Sequence, residues 1–129
     1  MKILTLVARI LLGLAFLVFG FNKLVPFLHM PMPTGDIGTL MGLMYTHKWI
    51  TFYGFIETAS GLLLLSGRYV PLALTLLAGV GTNILLFHIT FEPAGLPLPL
   101  FLALLEIYLV YVYRASFAGI FAAKPAPTA

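Results

Sequence analysis

Four apolar stretches, separated by proline, glycine and charged residues, divide the chain. The first runs from Ile3 to Val25 and stops at Pro26, whose ring cannot continue a helix. At a rise of ~1.5 Å per residue, a helix of that length crosses a hydrocarbon core ~30 Å thick. The second, Trp49 to Ser66, is short, but it opens on Trp49, Phe52 and Tyr53, side chains that favour a membrane–water interface. The third runs from Val70 to Phe91 with Pro71 in its first turn, and the fourth covers residues 98–117, also with proline at its start. The pattern predicts an all-α integral membrane protein: a four-helix bundle forming one domain over residues 1–121. An Ala/Pro-rich, frayed tail follows over residues 122–129.

The connections differ in kind. Gly67-Arg68-Tyr69 is a tight turn, so the second and third spans form an antiparallel hairpin. Glu92 to Leu96, with Pro93 and Gly95, is a second short loop. The link from Pro26 to Lys48 is long, and its first part is held extended by Pro31 and Pro33. In its second part Ile37, Leu40, Met41 and Met44 fall at i, i+3, i+4 and i+7, the spacing of one helical face. Thr34 or Asp36 can cap such a helix. The spacing predicts a short helix over residues 36–46 lying in the interface above the bundle, against the alternative of an irregular loop weakened by Gly38 and Gly42.

Composition agrees with this pattern. Hydrophobic residues make up 61% of the 129 and charged residues only 9%, more apolar surface than a water-soluble domain this small can hide. The formal charge of +3 is small and the basic residues do not cluster, which excludes a nucleic-acid footprint. The absence of cysteine excludes disulfides, thiol catalysis, iron–sulfur clusters and cysteine zinc sites. His29, His47 and His88 show no chelating spacing, so no metal site is predicted, and haem ligation by His88 lacks a second ligand. Lys2 before an apolar run resembles a secretion signal. Arg9 interrupts that run, however, and no small-x-small cleavage site precedes Lys23, so the segment reads as a retained first span.

With four crossings both termini share a side. Lys2, Arg68, Arg114 and Lys124 lie there, with Arg9 near it, against Lys23 and Lys48 opposite, so the positive-inside rule puts both termini in the cytoplasm.

Polar residues within the spans carry the candidate chemistry, because each costs free energy in lipid and needs a partner. They are Arg9, Asn22 and Lys23 on the first span, Glu57 and Thr58 on the second, Thr82, Asn83 and His88 on the third, and Glu106 on the fourth. Arg9, Gly13, Phe16, Gly20 and Lys23 form one stripe, and its glycines admit a close neighbour. Glu57 lies between Gly54 and Gly61 on a matching face. An isolated ionised carboxylate at that depth is untenable, so the reading pairs Arg9 with Glu57. Glu106 is then neutral or joined to the same network through Tyr113. Asn83 is expected to bond across helices, and His88 to stand near the level of Lys23 and His29. A purely structural role for these groups, fixing helix register, is the competing reading.

The segments Phe19-Gly20-Phe21-Asn22-Lys23-Leu24, Ile56-Glu57 with Gly61-Leu62-Leu63-Leu64-Leu65, and Asn83-Ile84-Leu85-Leu86-Phe87-His88, with an arginine in the first span, resemble the DoxX-like family over roughly residues 3–121. The resemblance implies a multi-pass protein of the bacterial inner membrane. Relatives are associated with thiosulfate:quinone oxidoreduction, with resistance to quinone-like or oxidative stress and with membrane oxidoreductase complexes. Arg9, Lys23, Glu57, Asn83 and His88 are the positions it carries over; Glu106 matches no family motif. Three functions follow as expectations. One is an accessory subunit that holds a quinone-like molecule with Lys23, Asn83 or His88 as donor, its electrons coming from other membrane redox subunits or a bound cofactor, since no redox or catalytic centre is encoded. Another is a structural or assembly subunit, with partners of its own or as a homo-oligomer. The third is a small transporter or proton path built on mid-membrane carboxylates.

Overall fold

The computed structural model describes residues 2–128. They form five α-helices and no strand: α1 Lys2–Leu24, α2 Gly35–Thr46, α3 Trp49–Ser66, α4 Val70–Thr90 and α5 Pro97–Val112. Two 3-10 segments, Pro93–Gly95 and Arg114–Phe121, precede and follow α5. Helices α1, α3 and α4 are each long and apolar enough to cross a membrane. Helix α5 qualifies only together with Arg114–Phe121, from which it is bent by 83°. The chain is thus an all-α protein with three to four candidate membrane spans. Its outward faces (Leu14, Phe55, Leu62, Leu104 and Ile107 among them) are apolar and exposed, as lipid contact requires.

Helices α1, α3 and α4 begin and end within a residue of the first three apolar stretches. The fourth differs: a continuous helix to Phe117 is expected, but α5 ends at Val112 and Tyr113 caps it, its N–H donating to the Leu109 carbonyl at 2.9 Å. The chain then turns, and Phe117 folds back into the core with 7% of its surface exposed. Burying that ring is the physical gain that a straight helix would forgo. Of the tail expected over residues 122–129, residues 122–128 carry no regular structure and Ala129 lies outside the described residues.

Helix α1 packs on α3 and α5, and α4 packs on the same two, so the four long helices touch in closed cyclic order. The closest approach is α1 on α3, where the pattern of glycines decides the geometry. A Cβ on Gly61 would lie 2.8 Å from the Gly13 carbonyl oxygen, and one on Gly54 would lie 3.0 Å from that of Gly20. Each helix carries its two glycines seven residues apart, two turns on one face, and antiparallel packing sets Gly13 opposite Gly61 and Gly20 opposite Gly54. Any side chain there would force the backbones apart.

The tight turn between α3 and α4 forms as expected. Gly67 caps α3 at φ 72°, the left-handed conformation that glycine adopts without a Cβ clash. Tyr69 adopts φ 54°, an uncommon conformation for a bulky side chain, and opens α4.

The core is unevenly distributed along the helices. Leu12 of α1, Leu64 of α3, Leu74 and Leu77 of α4 and Leu109 of α5 are fully buried and form one cluster with Ala8, Val70, Ala73 and Phe117. All lie in the half of the molecule that holds the chain termini. Among the described residues the opposite half buries fewer apolar side chains, Ile50 being one.

Helix α2 forms where the periodicity places it. None of its residues is fully buried, and Ile37, Leu40, Met41 and Met44 are its half-buried face, while Leu43 and Tyr45 point outward. It rests mainly on α3. Thr34 stands at its N-cap, but no side-chain capping bond forms.

Candidate functional site

Between the C-terminal halves of α1 and α4 and the facing residues of α3 and α5 lies a cleft of about 1100 Å³. The Met41 and Met44 side chains of α2 form part of its wall, with Phe16, Phe19, Tyr53 and Phe87 from the long helices. Two carboxyls, Glu57 and Glu106, and two basic side chains, Lys23 and His88, reach it.

The centre of the site is an ion pair that the sequence reading assigned differently. Lys23 Nζ donates to Glu57 Oε2 at 2.8 Å, and Glu57 is 1% exposed. Helical stacking explains the choice. Gly20 lies directly against Glu57, since a Cβ on Gly20 would come 2.7 Å from Glu57 Cβ. Lys23 is one turn further along the same stripe, its Cβ over Gly54, and its flexible stem carries the ammonium to the carboxylate.

Arg9 does not reach Glu57. Its guanidinium lies over Gly67 at the C-terminus of α3, where a Cβ would meet Nη1 at 2.8 Å. The unsatisfied carbonyls of a helix end attract a cation, and that end is nearer to Arg9 than the middle of α3. The expected Arg9–Glu57 pair is therefore replaced by Lys23–Glu57.

Glu106 is 8% exposed and makes no bond to Tyr113, which sits seven residues on at the end of α5. Its Oε1 is buried without a hydrogen-bond partner, and its Oε2 lies beside Gly81 of α4, where a Cβ would stand 3.6 Å away. The expected link through Tyr113 is absent because two helical turns separate the two side chains along the axis.

Asn83 does not bond across helices. Its Nδ2 donates to the Gly79 carbonyl one turn back at 3.1 Å, and the residue is exposed. Thr75, Thr82 and Thr90 satisfy their hydroxyls on α4 in the same way. Asn22 closes the end of α1: its Oδ1 accepts from the backbone N–H of Phe27 at 2.9 Å and of Leu28 at 2.8 Å. An asparagine four residues before a proline is the signal that could have revealed this terminating role.

His88 lines the cleft and its Nδ1 stands 2.8 Å from the Ile84 carbonyl oxygen. A carbonyl can only accept, so Nδ1 carries the proton, and in the neutral ring Nε2 is an acceptor. Lys23 keeps two N–H donors after Glu57, whereas the neutral His88 ring offers the cleft no N–H donor.

The structure thus brings Lys23, Glu57, Asn83, His88 and Glu106 around one cleft and leaves Arg9, Asn22 and Tyr113 outside it. Gly81, which makes room for the Glu106 carboxyl, carried no signal in the sequence beyond its small size. Comparison with protein-family models, curated proteins and solved structures finds no match to this chain.

Proposed function

We propose that the chain is a DoxX-like four-helix membrane protein whose cleft holds a quinone-like apolar molecule as an accessory part of a membrane redox or stress-response system. Helix α2 lies in the interface above the bundle, both termini face the bacterial cytoplasm, and electrons come from a partner subunit. The observation that carries this reading is the cleft itself. It is apolar over most of its wall and has a donor, Lys23, held in place by a buried carboxylate. Small-molecule sites combine these features: apolar walls for the body of the ligand and a few fixed polar groups to orient it.

The test is to purify the protein from bacterial membranes and assay its lipid extract for quinone. The melting temperature is then followed against a short-chain quinone. Co-purified quinone, or a saturable stabilisation that the double substitution Lys23→Met with Glu57→Gln removes, supports the reading. An extract without quinone and a flat titration overturn it.

An assembly subunit is the second reading. Lys23 and Glu57 satisfy one another without a ligand and lock α1 on α3, as register-fixing groups do. A proton or solute path is disfavoured by the leucine cluster, which fills the terminal half of the molecule and leaves the cleft closed at that end.

A further inference from the structure

Of the two carboxyls that line the cleft, Glu106 has no partner among the described residues. Lys23 from α1 and Glu57 from α3 cancel at 2.8 Å. His88 from α4 directs Nδ1–H to a carbonyl of its own helix. Glu106 from α5 remains, more than nine-tenths buried, with Oε1 bonded to nothing and no cation beside it among the described residues. An ionised carboxylate in that position is costly, and two chemistries relieve the cost: its own proton or an incoming cation.

The walls favour the second. Phe16, Phe19, Tyr53 and Phe87 line the same cleft, and the faces of aromatic rings attract organic cations. We propose that the cleft binds a lipophilic organic cation, its charged centre on the Glu106 carboxylate and its apolar body among the aromatic side chains. A protonated amine matches best, because its N–H supplies the donor that Oε1 lacks. Electroneutrality ties the event to a proton: Glu106 releases one as the cation enters, so the cation and the proton compete for one site. Lys23 and Glu57, already paired, take no part. This goes beyond the quinone-like reading, which uses Lys23.

The experiment titrates the full chain in lipid nanodiscs with tetraphenylphosphonium, a permanent cation that carries no exchangeable proton, against empty nanodiscs. Calorimetry in buffers of different ionisation enthalpy counts the protons released. Saturable binding is expected, weakening as the pH falls, with up to one proton leaving per cation bound in the acid range where Glu106 is protonated. Glu106→Gln, which removes no hydrogen bond seen in the structure, is expected to weaken binding about tenfold or more and to abolish proton release. Binding indifferent to that substitution overturns the proposal, as does uptake no greater than by empty nanodiscs. Wild-type binding that neither weakens nor releases protons as the pH is lowered also overturns it, independently of how the variant folds. A quinone titration run in parallel separates the two readings, since either ligand can bind while the other does not.

Discussion

Lys23 of α1 and Glu57 of α3 meet at 2.8 Å in the wall of the cleft, thirty-four residues apart in sequence. The carboxylate is 1% exposed and the ammonium side chain 26%, so the lysine shields a charge that has no other partner. Removing the lysine alone leaves that charge buried. Lys23→Met is expected to cost on the order of 3 kcal/mol, and Glu57→Gln less, because the ammonium can swing toward water. The double substitution is expected to recover much of the loss of Lys23→Met. Thermal unfolding of the three variants in one detergent gives the coupling energy, and strictly additive losses would remove the pair as a stabilising contact.

The glycine contacts between α1 and α3 make a separate prediction. A Cβ on Gly20 would stand 2.7 Å from the Thr58 backbone nitrogen, which cannot yield without moving the helix. Gly20→Ala is expected to destabilise by about 1–3 kcal/mol. Gly79 on α4 meets nothing within 4 Å, so Gly79→Ala is expected to be neutral or to stabilise by about 0.5–1 kcal/mol. The same loss at both positions, measured by melting, would mean that helix propensity and not close packing governs these glycines.

The helices were readable from the sequence because lipid requires long uninterrupted apolar runs, and proline and glycine mark their ends. Even α2 was visible, through Ile37, Leu40, Met41 and Met44. The pairing of charges was not. Sequence placed Arg9 and Lys23 on the same stripe of α1, and choosing between them for Glu57 needs the axial stagger of α1 on α3. That stagger is set by Gly20 seating on Glu57, a contact between helices that no periodicity within one helix reports. The bend after α5 was hidden for a related reason. The residues from Arg114 to Phe121 are compatible with a continuing α-helix, and the bend goes with the burial of Phe117 in the shared core. Asn22 and Asn83 were read as interior polar groups, yet both bond to nearby backbone, the local outlet open to short polar side chains.

Arg9 offers a direct check on that reassignment. Its guanidinium lies over Gly67 at the end of α3 and not beside Glu57. Arg9→Leu is expected to cost about 0.3–1 kcal/mol, the scale of a cation at a helix C-terminus. It is expected to add independently to Glu57→Gln and to leave the response to quinone or to a lipophilic cation unchanged. A melting loss as large as that of Lys23→Met, or one that vanishes in the Glu57→Gln background, would restore the Arg9–Glu57 pair.

Whether α5 crosses the membrane is open to a chemical test, because the chain contains no cysteine to interfere. Its helix is about 24 Å long at the usual rise, a little short of the ~30 Å core. The bend at Tyr113 turns Arg114–Phe121 by 83° from the helix, with Ile120 and Phe121 exposed. Single cysteines at exposed positions report the side on which each connection lies. If α5 crosses and the basic residues set orientation, Met32→Cys and Ala94→Cys react with a membrane-impermeant maleimide on intact cells. Tyr69→Cys and Ala126→Cys then react only after permeabilisation. Labelling with the two pairs exchanged would invert the topology and leave four crossings standing. Labelling of Ala94→Cys and Ala126→Cys from the same side would reduce the crossings to three and make α5 a helix that packs on α1 and α4 without spanning.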